Sequence, residues 1–129
     1  VIESGVNLPV ENPSPNLYGF KRKVLIYSIH GPLFFAVTEK FVDSLAGTHD
    51  QTNAVVFNLS TVPFIDFSGL LSFQEAVGRL QKRRTAIYLY GANSGISEKF
   101  KEVGLLNLVE TNQSFSSLEE IANYDNNFA

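Results

Sequence analysis

The sequence predicts an α/β fold: a single-domain layered sandwich with a mostly parallel central sheet of roughly four to five strands and about four helices. Three observations carry this. Apolar β-rich runs alternate with helical patterns across short polar links. The run Ala54-Val-Val-Phe-Asn-Leu59 is nearly continuous in apolar residues, as in a strand covered on both faces. Downstream, Leu70, Phe73, Val77 and Leu80 recur at three- and four-residue steps, one buried stripe of a long helix.

Taken in order, residues 1–17 carry Pro9, Pro13 and Pro15 and little charge, which reads as a linker or an edge strand. A strand is expected over 23–29, closed by Gly31-Pro32. A first helix over 38–45 places Phe41, Val42 and Leu45 on one face, with Gly47 as its stop. After a polar turn at 49–53 and the strand at 54–59, Asp66 is placed as N-cap of a helix over 67–82. That helix ends in Gln81-Lys-Arg-Arg84, which suits the helix dipole. A strand over 85–90 leads to the loop Gly91-Ala-Asn-Ser94, with Asn93 or Ser94 as cap of a helix over 96–103 and Gly104 beyond its end. Residues 105–109 are expected as a short strand, and Ser116-Ser-Leu-Glu119 as a capping box opening a last helix to about Ala122. Chain from Asn123 onward is expected to fray. The domain is accordingly placed at 18–124, with 125–129 a disordered tail.

Composition excludes several classes of function. A net charge of −3 argues against general nucleic-acid binding, which needs a basic surface. With no cysteine there are no disulfides, thiolate metal sites or thiol nucleophiles, and His30 and His49 lie in unrelated contexts, so no metal is expected. No window approaches the ~20 apolar residues of a membrane span. The chain begins at Val1, has no methionine and shows no signal-peptide pattern, so it is expected to be a piece of a longer protein. The eleven phenylalanines point to an aromatic core, with Phe57, Phe64, Phe73 and Phe100 among its members.

Catalytic patterns are missing. Ser60, Ser68 and Ser72 have no neighbouring histidine, Asp66 is a lone carboxylate, and neither a phosphate-binding P-loop nor a dinucleotide turn occurs. No catalytic residue and no cofactor is therefore assigned. The candidate binding site is the helix start at Asp66, Phe67, Ser68 and Gly69, together with Asn93 and Ser94, because helix N-termini present free N–H groups and a partial positive charge. The basic clusters Lys21-Arg-Lys23 and Lys82-Arg-Arg84 read either as solvated ends of elements or as an electrostatic contact with a phospholipid surface or an acidic partner.

The stretch Asn58-Leu-Ser-Thr-Val-Pro-Phe-Ile-Asp66-Phe-Ser68-Gly69-Leu, set between a strand and a helix, resembles the STAS domain (sulfate transporter and anti-sigma factor antagonist). Glu102-Val-Gly-Leu-Leu106 fits the same pattern, and the resemblance covers roughly residues 20–123. His30-Gly-Pro-Leu-Phe-Phe35 followed by Glu39-Lys-Phe41 is similar to the segment typical of the SulP anion-permease branch. In the phosphorylation-switched antagonists of the family, the Asp of this turn is followed by Ser or Thr; here Phe67 has no hydroxyl. Ser68 is the substitute acceptor to consider, although one position along a helix turns it by about 100°. Asn58 stands where an acidic residue often ends the preceding strand.

The resemblance implies a non-catalytic cytoplasmic domain of a bacterial SulP-type anion transporter, of the sulfate or bicarbonate kind, at the cytoplasmic face of the plasma membrane. Its implied partner is the membrane transport domain of the same polypeptide, with a homodimer and a cytosolic regulatory protein as further partners. The alternatives are a free-standing antagonist in a partner-switching circuit, phosphorylated at Ser68, and a nucleotide-binding module using the 91–95 loop. A receiver-type phospho-aspartate domain fits less well, since Ser28-Ile-His30 supplies no carboxylate pair after the first strand.

Overall fold

Alternating side chains divide this domain into two cores, one on each face of a single sheet. The computed structural model describes residues 10–11, 18–30, 53–110 and 115–127. Its four strands are β1 (Val10–Glu11), β2 (Val24–His30), β3 (Ala54–Thr61) and β4 (Ala86–Tyr90), hydrogen-bonded in the order β1-β2-β3-β4. The pair β1–β2 is antiparallel, whereas β2–β3 and β3–β4 are parallel, with Val24, Ala54 and Ala86 level at their starts. The expected helix at 38–45 and the Gly-Pro-Leu-Phe-Phe segment lie outside the described residues.

Leu25, Tyr27 and Ile29 of β2, Val55, Phe57 and Leu59 of β3 and Ile87 of β4 face one way. They pack against helix α1 (Phe67–Lys82), helix α2 (Ser94–Glu102) and the 3₁₀ turn Leu105–Leu108. Val24, Ile26, Ala54, Val56, Ala86 and Tyr88 face the other way, onto Phe20, Phe115 and helix α3 (Leu118–Asn126). This period-two division is why β3 reads as continuous apolar sequence: each face meets its own layer. Phe73 of α1 meets Phe57 edge-on at 5.1 Å and stacks on Phe100 of α2 at 5.7 Å, so three aromatic rings join sheet and helices.

The helices start and stop where their caps allow. Helix α1 spans the residues expected of it, and Leu70, Phe73, Val77 and Leu80 are all buried. Helix α2 starts at Ser94, two residues before the expected Ile96, because Asn93 and not Ser94 is the cap. The capping box of α3 is shifted by one residue: Ser117 Oγ accepts from Glu120 N at 3.1 Å, and Glu120 Oε1 accepts from Ser116 N at 2.8 Å. Residues 105–109 are not a strand. Gly104, at φ +77°, ends α2 in the left-handed region, and Asn107 N bonds to Gly104 O, winding the chain into a 3₁₀ turn. Sheet contact returns with Glu110 N donating to Ile87 O. Phe64, expected in the core, is 46% exposed. Among the described residues no helix is long and apolar enough to cross a membrane.

The last helix does not fray at Asn123. It runs to Asn126 because its final turn is tied to the chain entering β2. Asp125, with 0% exposure, accepts from Arg22 Nε at 2.9 Å and Arg22 Nη2 at 2.5 Å, and from Tyr88 Oη at 2.7 Å. Asn126 accepts from Lys21 N and donates to Gly19 O. The hydrogen bond it donates to Asp125 holds the Arg22 guanidinium above its usual pKa, and burial, then the hydrogen bond to Asp125, pushes the Tyr88 phenol well above its ordinary 10.0.

Two consequences are measurable. Arg22→Ala strands a buried carboxylate without its cation and is expected to cost about 3–5 kcal/mol. Asp125→Asn should cost less, because the guanidinium of Arg22 is partly exposed and can reach water. Urea unfolding checks the order, and a larger loss for Asp125→Asn would contradict it. The raised phenol sets a pH window: unfolded tyrosine ionises near 10.0 while folded Tyr88 stays protonated. Its contribution is complete below about pH 10 and is lost as the pH rises further. Tyr88→Phe should therefore flatten the alkaline limb of the stability curve.

Candidate functional site

The site is built where parallel strands end and helices begin, the edge at which open α/β sheets present loops to ligands and partners. Strand β3 leaves the regular ladder there. Ser28 pairs with Asn58 but His30 pairs with Thr61, so β3 carries one extra residue, a bulge over Leu59 and Ser60. Asn58 Oδ1 accepts from both Ser60 N (3.1 Å) and Ser60 Oγ (2.7 Å) and its amide donates to Ser28 Oγ, so its polar atoms are spent holding the bulge. Thr61 Oγ1 donates to Ile29 O, which leaves it to accept from His30 Nδ1 at 2.9 Å.

From the bulge the chain runs to α1 with Val62 and Ile65 buried and Pro63 and Phe64 exposed. Asp66 is extended, at φ −81° and ψ 170°, and its Oδ1 accepts from Gly69 N at 2.6 Å. This is an N-cap: the carboxylate satisfies one of the free N–H groups of the first turn and lies at the positive end of the helix dipole. Phe67, the first residue of the helix, is 68% exposed, Ser68 beside it is exposed, and Gly69 is buried.

The second loop is held against the first by one amide. Asn93 Oδ1 caps α2 through Ile96 N at 2.9 Å, while its Nδ2 donates to Pro63 O at 3.0 Å and Val62 O at 3.4 Å. Lys99, one turn on, donates from Nζ to Ile65 O at 2.7 Å. Of the residues 66–69 and 93–94 expected as one site, Asn93 alone lines the shallow groove between the two loops, while Asp66–Gly69 follow its wall at Ile65 and Ser94 is exposed at the start of α2. The groove measures about 100 Å³ between Pro63, Phe64 and Ile65 on one side and Asn93, Gly95 and Lys99 on the other. That is below the ~300–1,000 Å³ of sites that enclose drug-sized ligands. The loop depends on Gly91. At φ +81° a side chain is strained, and a Cβ there would stand 2.7 Å from Ser60 Cβ and 2.8 Å from Ser60 Cα.

Sequence reasoning named Phe67 at this surface but did not join Phe64 and Leu71 to it. Phe64, Phe67 and Leu71 are the exposed large hydrophobic residues of the described chain, at 46, 68 and 44%, and all fall within one turn and the helix start after it. Phe67 and Leu71 are four apart and share a helix face. The signal was available: Leu71 is off the stripe made by Leu70, Phe73, Val77 and Leu80. Phe64 gave none, because an extended segment between a strand and a helix has no fixed period. Lys99 was also missed, since its role depends on a carbonyl 34 residues away.

Fold and site together define a small α/β domain that presents a capped helix start with an apolar rim, and in which no catalytic constellation is assigned. Residues 17–121 match the STAS domain family, and the chain belongs to it. In solved structures it is similar to the STAS domain of a SulP transporter from Vibrio cholerae, at 25% identity and a TM-score of 0.69 over 84% of each chain. The anti-sigma factor antagonist SpoIIAA in its unphosphorylated form shares the fold at 14% identity, with a TM-score of 0.69 over 92% of this chain and 96% of that one. The bicarbonate transporter BicA of Synechocystis sp. is 23% identical over 101 residues, 76% of this chain. This chain spans 17% of that transporter's length.

The geometry separates residues that hold the site from those that display it. Phe67→Ala should change stability by no more than about 0.5 kcal/mol, as for exposed positions generally. Asp66→Ala should cost about 1 kcal/mol through loss of the cap, and Gly91→Ala about 3 kcal/mol through strain and the clash with Ser60. Thermal unfolding of the three variants gives the ranking directly.

Proposed function

We propose that this chain is the cytoplasmic STAS domain of a SulP-family anion transporter and that it acts without catalysis, through protein contacts made by turn 66–69 and its apolar rim. The observation that carries this reading is Phe67: the first position of α1 holds a 68% exposed aromatic ring. A contact surface is built from such side chains, whereas a phosphorylation switch at this position needs a hydroxyl. The likeness to a SulP transporter STAS domain, and to part of a bicarbonate transporter, supports a transport domain of the same polypeptide as the first partner. On this reading the domain core is residues 18–124 with the final turn of α3 added, and the domain sits at the cytoplasmic face of the plasma membrane. The groove beside Asn93 and Lys99 suits a partner side chain better than a nucleotide, given its ~100 Å³.

The rival is a free-standing antagonist. It draws support from the shared fold and from Ser68, which is exposed at the helix start. The coding sequence upstream of Val1 separates the two: a series of apolar spans of about 20 residues each supports the transporter reading. In the transporter, Phe67→Asp is expected to lower anion uptake severalfold at unchanged membrane abundance, while Ser68→Ala leaves it unaltered. A start codon shortly before Val1, with phosphate found on Ser68 by mass spectrometry, would favour the antagonist instead.

A further inference from the structure

The two basic clusters, 59 or more residues apart in sequence, meet at one edge of the sheet. Lys21 and Lys23 precede β2, and Lys82, Arg83 and Arg84 precede β4; the intervening strand β3 starts level with both. Asn53 N donates to Lys23 O and Ala86 N to Asn53 O, which closes that edge across the three strand starts. Two strand spacings of about 4.8 Å place the clusters within roughly 10 Å of each other. All five side chains are exposed. Lys21, Lys23, Lys82 and Arg84 make no ion pair among the described residues. Asp125, beside Arg22, is buried and neutralised by it, and Glu110 lies alongside Ile87, one residue into β4. A chain with a net charge of −3 thus gathers five of its ten Lys and Arg residues on one side.

A second observation, from the backbone, singles out Arg84. Helix α1 ends in a Schellman motif: Arg84 N donates to Gln81 O at 2.9 Å and Thr85 N to Leu80 O at 3.1 Å. The residue after the cap in this motif is left-handed and is ordinarily glycine. Here it is Arg84 at φ +62°, the one non-glycine residue with positive φ in the described chain. A backbone position that glycine fills with less strain is given to a cation, directly after Lys82 and Arg83. Local rules are broken in this way where function requires the side chain.

We propose that this edge rests on the anionic lipid headgroups of a bilayer and that Arg84 is placed there for its charge. A lipid surface fits better than an acidic protein. Protein interfaces are anchored by buried aromatic and aliphatic side chains, and the exposed large apolar residues of the described chain all lie at the other end of α1. The sixteen residues of that helix set the two surfaces about 24 Å apart. The choice of a bilayer as occupant rests on the transporter reading, which puts a membrane within reach.

The test is cosedimentation of the 129-residue chain with vesicles of phosphatidylcholine alone and of phosphatidylcholine with phosphatidylglycerol. Binding is expected to the anionic vesicles alone and to fall as salt is raised. Each basic residue removed should weaken it about fivefold. Arg84→Gly is the discriminating variant, since it should keep or raise the melting temperature while weakening binding by that factor. Lys82→Gln with Arg83→Gln should weaken it by about 25-fold. No binding to anionic vesicles at low salt, or binding that these variants leave unchanged, would overturn the proposal. So would capture by polyglutamate with no vesicle binding, which would assign the edge to an acidic protein. None of these outcomes depends on what is encoded upstream of Val1, so the vesicle result and the transporter reading fail independently.

Discussion

Strand β3 is the constraint on which the rest of this domain depends. It is hydrogen-bonded on both edges and buried on both faces, so its register with β2 and β4 decides where every other element sits. Because all three strands are parallel, their starts lie on one side of the molecule and their ends on the other. The bulge at Leu59 and Ser60 then interrupts the ladder with β2, and Ser60 comes so close to Gly91 that only glycine fits. From that contact follow the approach of the two loops, the bridge of Asn93 to Pro63 and the groove between them.

Parallel topology also gives the domain two unlike ends. The helix-start edge carries Phe64, Phe67 and Leu71 about a capped, locally satisfied turn. The strand-start edge carries lysine and arginine and the left-handed Arg84. Helix α1 spans both, rigidly held by the Phe57, Phe73 and Phe100 rings. A rigid body with an apolar contact surface at one end and a cationic one at the other suits a module that bridges a surface and a partner.

The polar interior has a different role. Arg22, Tyr88 and Asp125 come from the chain entering β2, from β4 and from the last turn of α3, and they close the second core. Breaking a buried ion pair is costly even where forming it gains little, and this triad ties the last turn of α3 to β4 and to the chain entering β2. It also explains why α3 holds beyond Asn123, where the local sequence, rich in asparagine and aspartate, favours fraying.

What could be read in the chain, and what could not, divides along a physical line. The continuous apolar run of β3, the stripe of α1, the cap at Asp66 and the stop at Gly104 are local patterns, in which a few neighbouring residues satisfy one another's hydrogen bonds or share one face. These the sequence determined by itself, along with the family resemblance of the 58–70 stretch and the absence of a hydroxyl at position 67. Residues 105–109 misled because Leu-Leu-Asn-Leu-Val suits a strand, and only the left-handed Gly104 and the packing of Leu105 under the helices turn it into a 3₁₀ coil. The exposure of Phe64, the Asn93 bridge, the pairing of Asp125 with Arg22 103 residues away and the meeting of the two basic clusters belonged to the tertiary structure alone. Each depends on which strands lie side by side, and long-range pairing leaves no periodic trace in the sequence it joins.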